Sequence, residues 1–150
     1  IRFAFVGEGA VKTTIERKVA GLALDNVVMR PGVPRSDVPG LLAAADICLV
    51  PLRDVPLFST FIPSKIFEYF GAGKAVIGTV RGEPAAILRE GGAVVVDPGD
   101  PTALADAVRR LAADARLRRT MGGQGRQFVE RQFDRRALAS KYRNLLMESA

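Results

Sequence analysis

The sequence predicts an α/β fold, a doubly wound parallel sheet followed by a helical C-terminal third. Three observations carry that expectation. Short, continuous apolar runs such as Ile47-Cys48-Leu49-Val50, Ala75-Val76-Ile77-Gly78 and Ala93-Val94-Val95-Val96 have the length and content of strands covered on both faces. Segments with apolar residues at helical spacing separate them. After Val96 the strand-like runs stop, and a helical pattern continues to the end of the chain. A length of 150 residues with 48% apolar content suits one domain able to bury a core, and the expectation is a single domain over 1–150.

Each element has its own reason. Ile1 to Val6 is rich in β-formers and stops at Gly7. A chain that opens inside a strand, without methionine, reads as a piece of a longer protein. Thr13 to Leu24 places Ile15, Val19, Leu22 and Ala23 on one helical face, with Asp25-Asn26 as the stop. Val27-Val28-Met29 forms a short strand closed by Arg30-Pro31-Gly32. Ser36 or Asp37 is the expected N-cap of a helix through Leu41 to Ala45. The strand at Ile47 to Val50 leads into a loop from Pro51 to Ile62, then a helix from Pro63 to Ala72, because proline suits a first turn. Glu83 to Arg89 allows two helical turns. Asp97-Pro98-Gly99-Asp100-Pro101 is a turn cluster, and the helical tail from Thr102 is expected to break near Gly122-Gly123 and near Phe133-Asp134.

Composition excludes several chemistries. With no histidine, neither a Ser-His-Asp triad nor a conventional zinc site can be built from this chain, and the single cysteine, Cys48, has no internal disulfide partner. No apolar run approaches the length of a membrane span, and no secretory signal is apparent, so an intracellular setting is the default expectation.

Two segments carry chemistry. The first is Val6-Gly7-Glu8-Gly9-Ala10, where two glycines after a strand allow a tight turn and close backbone approach to a phosphate or sugar. It fails as a dinucleotide fingerprint, because Lys12 holds the third glycine position and no acidic residue ends the second strand. A turn that merely joins strand to helix is an equally good reading of these residues.

The second is the run from Phe58-Ser59-Thr60-Phe61-Ile62 through Pro63-Ser64-Lys65-Ile66-Phe67-Glu68-Tyr69 to Gly71-Ala72-Gly73-Lys74. Lys65 and Glu68 share a helix face, while Ile66, Phe67, Tyr69 and Phe70 point toward the core. The plain reading is a surface ion pair worth about 0.2–0.5 kcal/mol. The functional reading starts from position, since the helix follows a central strand at the edge where open α/β sheets bind ligands. Backbone N–H groups of Ser59, Thr60, Phe61 and Ile62, aided by the helix dipole, would receive a diphosphate, and Lys65 would add a charge. The Glu68 carboxylate would accept hydrogen bonds from both hydroxyls of a ribose.

The ordered set resembles the C-terminal, nucleotide-sugar-binding domain of group 1 glycosyltransferases, glycosyltransferase family 4. Phe5-Val6-Gly7-Glu8-Gly9, Asn26-Val27 leading to Pro31-Gly32-Val33, and Leu41 to Asp46 before a strand all belong to it. Pro63 to Tyr69 with Gly71 to Lys74, then Gly82-Glu83-Pro84 and Asp97 to Pro101, complete it. The resemblance implies a Rossmann-like domain, one half of a GT-B fold, that takes part in metal-free sugar transfer from a UDP- or GDP-linked donor, with cell-envelope or exopolysaccharide synthesis as the setting. By position it implies that Glu68 binds the donor ribose and that Gly7, Glu8 and Gly9 lie by the diphosphate and sugar. Pro31, Gly32 and Val33 would flank the base, Ser59 to Ile62 would serve diphosphate and sugar, and Lys65 would be the residue meeting leaving-group charge. Where the family often has a second glutamate, eight residues before Glu68, this chain has Thr60. The family's diphosphate-neutralising Arg and Lys fall upstream of Ile1, as do its first strand and the N-terminal acceptor domain, which would be a partner. A GT-B sugar-nucleotide epimerase and a non-catalytic nucleotide-sugar-binding or assembly domain are the rival readings, and a dehydrogenase ranks third.

The net charge of +6 is uneven. Residues 1–100 hold 11 basic and 11 acidic side chains, whereas residues 101–150 hold 11 basic and 5 acidic. Apolar residues from Leu104 and Val108 to Leu138, Tyr142 and Leu145 recur at helical spacing, so these helices are expected to pack on the sheet with their arginines in water. An anionic membrane surface at the cytoplasmic face is the secondary reading of this charge, as is an apolar face on Ala137 to Met147 for the N-terminal domain. Nucleic acid is not expected as a partner, because few aromatics accompany the arginines.

Overall fold

A computed structural model describes residues 1–148 of the chain as two compact units, residues 1–41 and 42–148. All strands pair in parallel, as expected of the α/β class, and they are hydrogen-bonded as a two-stranded and a three-stranded sheet.

The first unit contains β1 (Phe3–Val6), α1 (Lys12–Gly21) and β2 (Val27–Arg30). β1 and β2 run in register from Phe3 opposite Val27 to Val6 opposite Arg30. α1 stops at Gly21, and the chain turns through Ala23 in the left-handed region (φ 49°), so the helix is shorter than its apolar spacing suggests. A short 3-10 turn, Arg35–Asp37, leads into α2 (Val38–Ala44). Neither Ser36 nor Asp37 acts as the expected cap. The Ser36 hydroxyl donates to Asp37 Oδ1 at 2.9 Å, and the 3-10 turn takes the place of a capped start.

The second unit is ordered around β3 (Ile47–Pro51), β4 (Ala75–Thr79) and β5 (Val94–Val96), with β4 central. β4 is the apolar run Ala75-Val76-Ile77-Gly78, every residue of it buried, as a strand covered on both faces must be. Between the strands lie α3 (Lys65–Gly71) and α4 (Glu83–Glu90), followed by α5 (Pro101–Ala113), α6 (Ala115–Gln132) and α7 (Arg135–Glu148). The core gathers Val50, Ile66, Phe70, Val76, Val80, Ala85, Leu88 and Phe128.

The helical tail breaks at Asp114, not at Gly122-Gly123. The Asp114 carboxylate accepts from the Leu117 amide at 2.8 Å and so caps α6. α6 then runs unbroken through both glycines. Gly122 is needed for closeness: a Cβ there would strike the Gly73 carbonyl, and one at Gly125 would strike the Phe70 ring. The expected break at Phe133-Asp134 is present, with Asp134 accepting from the Ala137 amide at 2.8 Å.

α5 and α6 bury Val108, Leu111, Met121 and Phe128, and three of their arginines have partners at the surface. Arg118 donates to the Leu111 and Ala112 carbonyls at the end of α5, at 2.7 and 2.9 Å, while Arg109 pairs with Asp106 and Arg126 with Glu130. The expectation of packing fails for α7, which buries no residue; Leu138, Tyr142 and Met147 are all exposed. Among the described residues no helix is long and apolar enough to cross a membrane.

Candidate functional site

The residues singled out from the sequence form two groups, each assembled within its own unit. In the first unit, β1 ends at Gly7, whose φ of 137° is open to glycine, and the Gly7 amide donates to the Arg30 carbonyl at 3.2 Å. This brings the Gly7-Glu8-Gly9 turn against the turn after β2. Glu8 is the clasp. Its carboxylate accepts from Lys12 Nζ at 2.9 and 3.1 Å and from the Gly32 amide at 3.2 Å. These bonds, the lysine's first and the amide's second, hold the Glu8 carboxyl below its ordinary range. Lys12, which spoils a dinucleotide fingerprint, is thus the partner that orients Glu8. Gly9 accepts from the Lys12 amide at 3.1 Å, and Pro31 and Val33 flank Gly32 in the exposed turn.

In the second unit, the loop after β3 makes a 3-10 turn at Pro56–Ser59 before reaching α3. α3 begins at Lys65, two residues later than expected, and is only seven residues long. Ser59 to Ile62 therefore lie further ahead of the helix than expected, and the dipole of so short a helix contributes little there. Local geometry serves them instead. The Ser59 hydroxyl donates to the Pro56 carbonyl at 2.7 Å and the Thr60 hydroxyl to the Leu57 carbonyl at 3.4 Å, fixing the turn. Among the described residues the backbone N–H groups of Phe61 and Ile62 have no acceptor.

Glu68 stands on the exposed side of α3, opposite the buried Ile66 and Phe70. The ion pair with Lys65 that its spacing suggests is not made; Glu68 Oε1 accepts a long bond, 3.4 Å, from the Ser64 hydroxyl. Its carboxylate keeps most of its acceptor capacity for other donors. Lys65 is exposed and makes no ion pair among the described residues.

Beside this loop is a cavity of about 160 Å³ lined by Leu52 to Pro56, Phe58, Ser59, Arg81 and Pro98. Glu68 and Lys65 lie outside its lining. Arg81 joins the surrounding loops: its Nη1 donates to Asp54 Oδ2 at 2.8 Å, and its Nε lies 3.5 Å from Asp97 Oδ1. Gly82, at φ 68°, lies so close to Ser59 that a Cβ would strike its backbone. Arg81, Asp54 and Asp97 were not singled out from the sequence. Gly82 left a trace there inside Gly82-Glu83-Pro84, and Asp97 only as the first residue of the turn cluster. Cys48, on β3, supplies no nucleophile, because burial pushes its thiol up to about 11. Among the described residues no group of three acidic, histidine or cysteine side chains is placed to hold a metal ion.

Parallel strands alternating with helices define an α/β protein, and comparison with known proteins places it further. The family model for glycosyl transferases group 1 matches residues 1–114, and the chain belongs to that family. It is similar to the lipopolysaccharide core biosynthesis glycosyltransferase LpsD of Rhizobium meliloti, with 30% identity over 93% of this chain and 39% of that protein. Among solved structures it is similar to the sucrose-phosphate synthase of Thermosynechococcus elongatus (TM-score 0.83, 27% identity, 97% of this chain and 37% of that one). It shares its fold with Anabaena HepE, solved in complex with UDP-glucose (TM-score 0.82, 19% identity, 98% of this chain and 41% of that one). The chain thus spans about two fifths of the length of these relatives.

Proposed function

We propose that residues 1–150 serve as the donor-binding domain of a glycosyltransferase that moves a sugar from a UDP- or GDP-linked donor to an acceptor in cell-envelope or exopolysaccharide synthesis. The observation that carries this reading is Glu68, an exposed carboxylate left unpaired by its neighbouring lysine. It follows a loop whose Phe61 and Ile62 amides have no acceptor among the described residues. A carboxylate with free lone pairs can accept from both hydroxyls of a ribose, and backbone amides with no other task suit a diphosphate. Lys65 adds positive charge nearby, and Gly7, Glu8, Gly9 and the turn at Pro31, Gly32 and Val33 form the other exposed group available to base and sugar.

The chemistry asked of these groups is electrostatic. As the glycosidic bond breaks, negative charge grows on the departing diphosphate, and donors already fixed in place lower the barrier by meeting it. The acceptor is held by a further domain of the full-length protein, in keeping with the greater length of the relatives. The reaction belongs to the cytoplasm, with the inner membrane face as a secondary contact for the basic C-terminal third.

Calorimetric titration of the full-length protein with UDP and GDP tests the reading. One of them is expected to bind, and Glu68→Ala is expected to weaken that binding by roughly 1.5–3 kcal/mol, the range for lost hydrogen bonds to a charged group. Absence of binding by either nucleotide, or an unchanged affinity in the variant, sinks it.

A further inference from the structure

Arg81 follows the buried Val80 at the end of β4, and its guanidinium spans two other loops. Asp54 belongs to the loop after β3 and Asp97 to the turn after β5. One side chain therefore ties together the carboxyl ends of three adjacent parallel strands, the edge where α/β sheets receive ligands. The next residue, Gly82, presses its backbone onto Ser59. Arg81 and Gly82 thus grip the segment from Asp54 to Ser59 from one side, immediately before the Phe61 and Ile62 amides.

We infer that Arg81 is a positioning residue for the donor: through Asp54 and Asp97 it holds the loop of residues 54–62 in the shape that presents those amides to the diphosphate. The inference rests on the donor-binding reading above. Arginine is required because a planar fork with several donors can serve carboxylates on two loops at once, whereas an ammonium is a point charge on a flexible stem. All three side chains are about half exposed or more, with 52% for Arg81, 54% for Asp54 and 68% for Asp97. Exposed pairs contribute little to global stability, so loss of this tie is read in the loop rather than in the melting temperature.

The test uses the full-length protein and five variants, Arg81→Ala, Arg81→Lys, Asp54→Asn, the Arg81→Ala/Asp54→Asn double and Glu68→Gln. Nucleoside diphosphate affinity, thermal melting and the rate of trypsin cleavage after Arg53 are measured for each. Arg81→Ala and Asp54→Asn are each expected to raise Kd about fivefold, the scale of one well-placed surface tie. The double variant should be no worse than Arg81→Ala alone, because that substitution already removes the tie to Asp54. Arg81→Lys should not rescue binding, cleavage after Arg53 should accelerate, and melting should stay nearly constant. An unchanged Kd in Arg81→Ala and Asp54→Asn, with Glu68→Gln impaired, overturns this inference and leaves the donor reading standing. A lowered melting temperature with unchanged Kd makes Arg81 a structural brace only and overturns it equally. If Glu68→Gln also binds normally, or the unaltered protein binds neither UDP nor GDP, the donor reading fails and the inference falls with it.

Discussion

The two units are built on different physics. In residues 1–41 no side chain is buried; Phe5 and Val6 of β1 are 43% and 39% exposed, and an open groove of about 360 Å³ runs between α1 and β2 past Val19, Leu24 and Met29. Its Gly7-Glu8-Gly9 turn is held by an exposed carboxylate clasping an ammonium and an amide. In residues 42–148 the corresponding loop stands on a core in which Ile66, Ile77, Leu88 and Leu111 are wholly buried. A two-stranded sheet with one helix has too little apolar surface to exclude water, so polar bonds set its local shape. A three-stranded sheet covered by helices sets its loops through packing. Exposed polar clasps thus shape the turns of one unit, and close packing supports the loops of the other.

Substitutions sharpen that contrast. The largest effect is expected for Phe70→Ala, about 3–5 kcal/mol of lost stability by denaturant unfolding. Phe5→Ala should cost about 1 kcal/mol or less; equal losses would erase the distinction between the units. Next, Gly122→Ala should destabilise by about 2–3 kcal/mol, because the added methyl meets the Gly73 carbonyl. Its neighbour Gly123, with open space around it, should gain up to about 1 kcal/mol on mutation to Ala from helix propensity. The smallest effect concerns Glu8. Its folded-state carboxyl is depressed, so its stabilising contribution is present above the ordinary carboxylate range and is lost as pH falls through the depressed value. The Gly32 amide resonance should therefore shift with an inflection below the usual carboxylate pKa, and Glu8→Gln should remove it. An inflection at the ordinary value shows that the clasp does not form.

Much of this architecture was legible in the residues. The continuous apolar runs were strands, although only β4 is buried along its whole run: β3 alternates buried with half-buried residues, and β5, at the edge of its sheet, has no buried residue. Asp97 to Pro101 marked the turn where the strands end. The misreadings came from residues with two roles. Gly122-Gly123 looked like a helix break, yet glycine at 122 permits close approach, and the true break lay at Asp114, an N-cap signal hidden between Ala112-Ala113 and Ala115. Ser36 is a good cap by type, but its hydroxyl found Asp37 first. At the candidate site, Glu68 and its exposure could be read from helical spacing alone. Arg81 could not, because its partners are 27 and 16 positions away and only the fold brings them together.

Phe70 sits where Gly91 and Gly125 have no side chains and meets Phe128 edge-on, with ring centres 5.9 Å apart. In a helix of seven residues, that single seated ring fixes the roll of the whole rod about its axis. Glu68 precedes it by two residues, roughly 200° around at 3.6 residues per turn, and so faces nearly the opposite way. The bearing of the carboxylate is thereby governed from the far side of the rod. Two glycines with no ligand of their own act as the notches that keep it aimed.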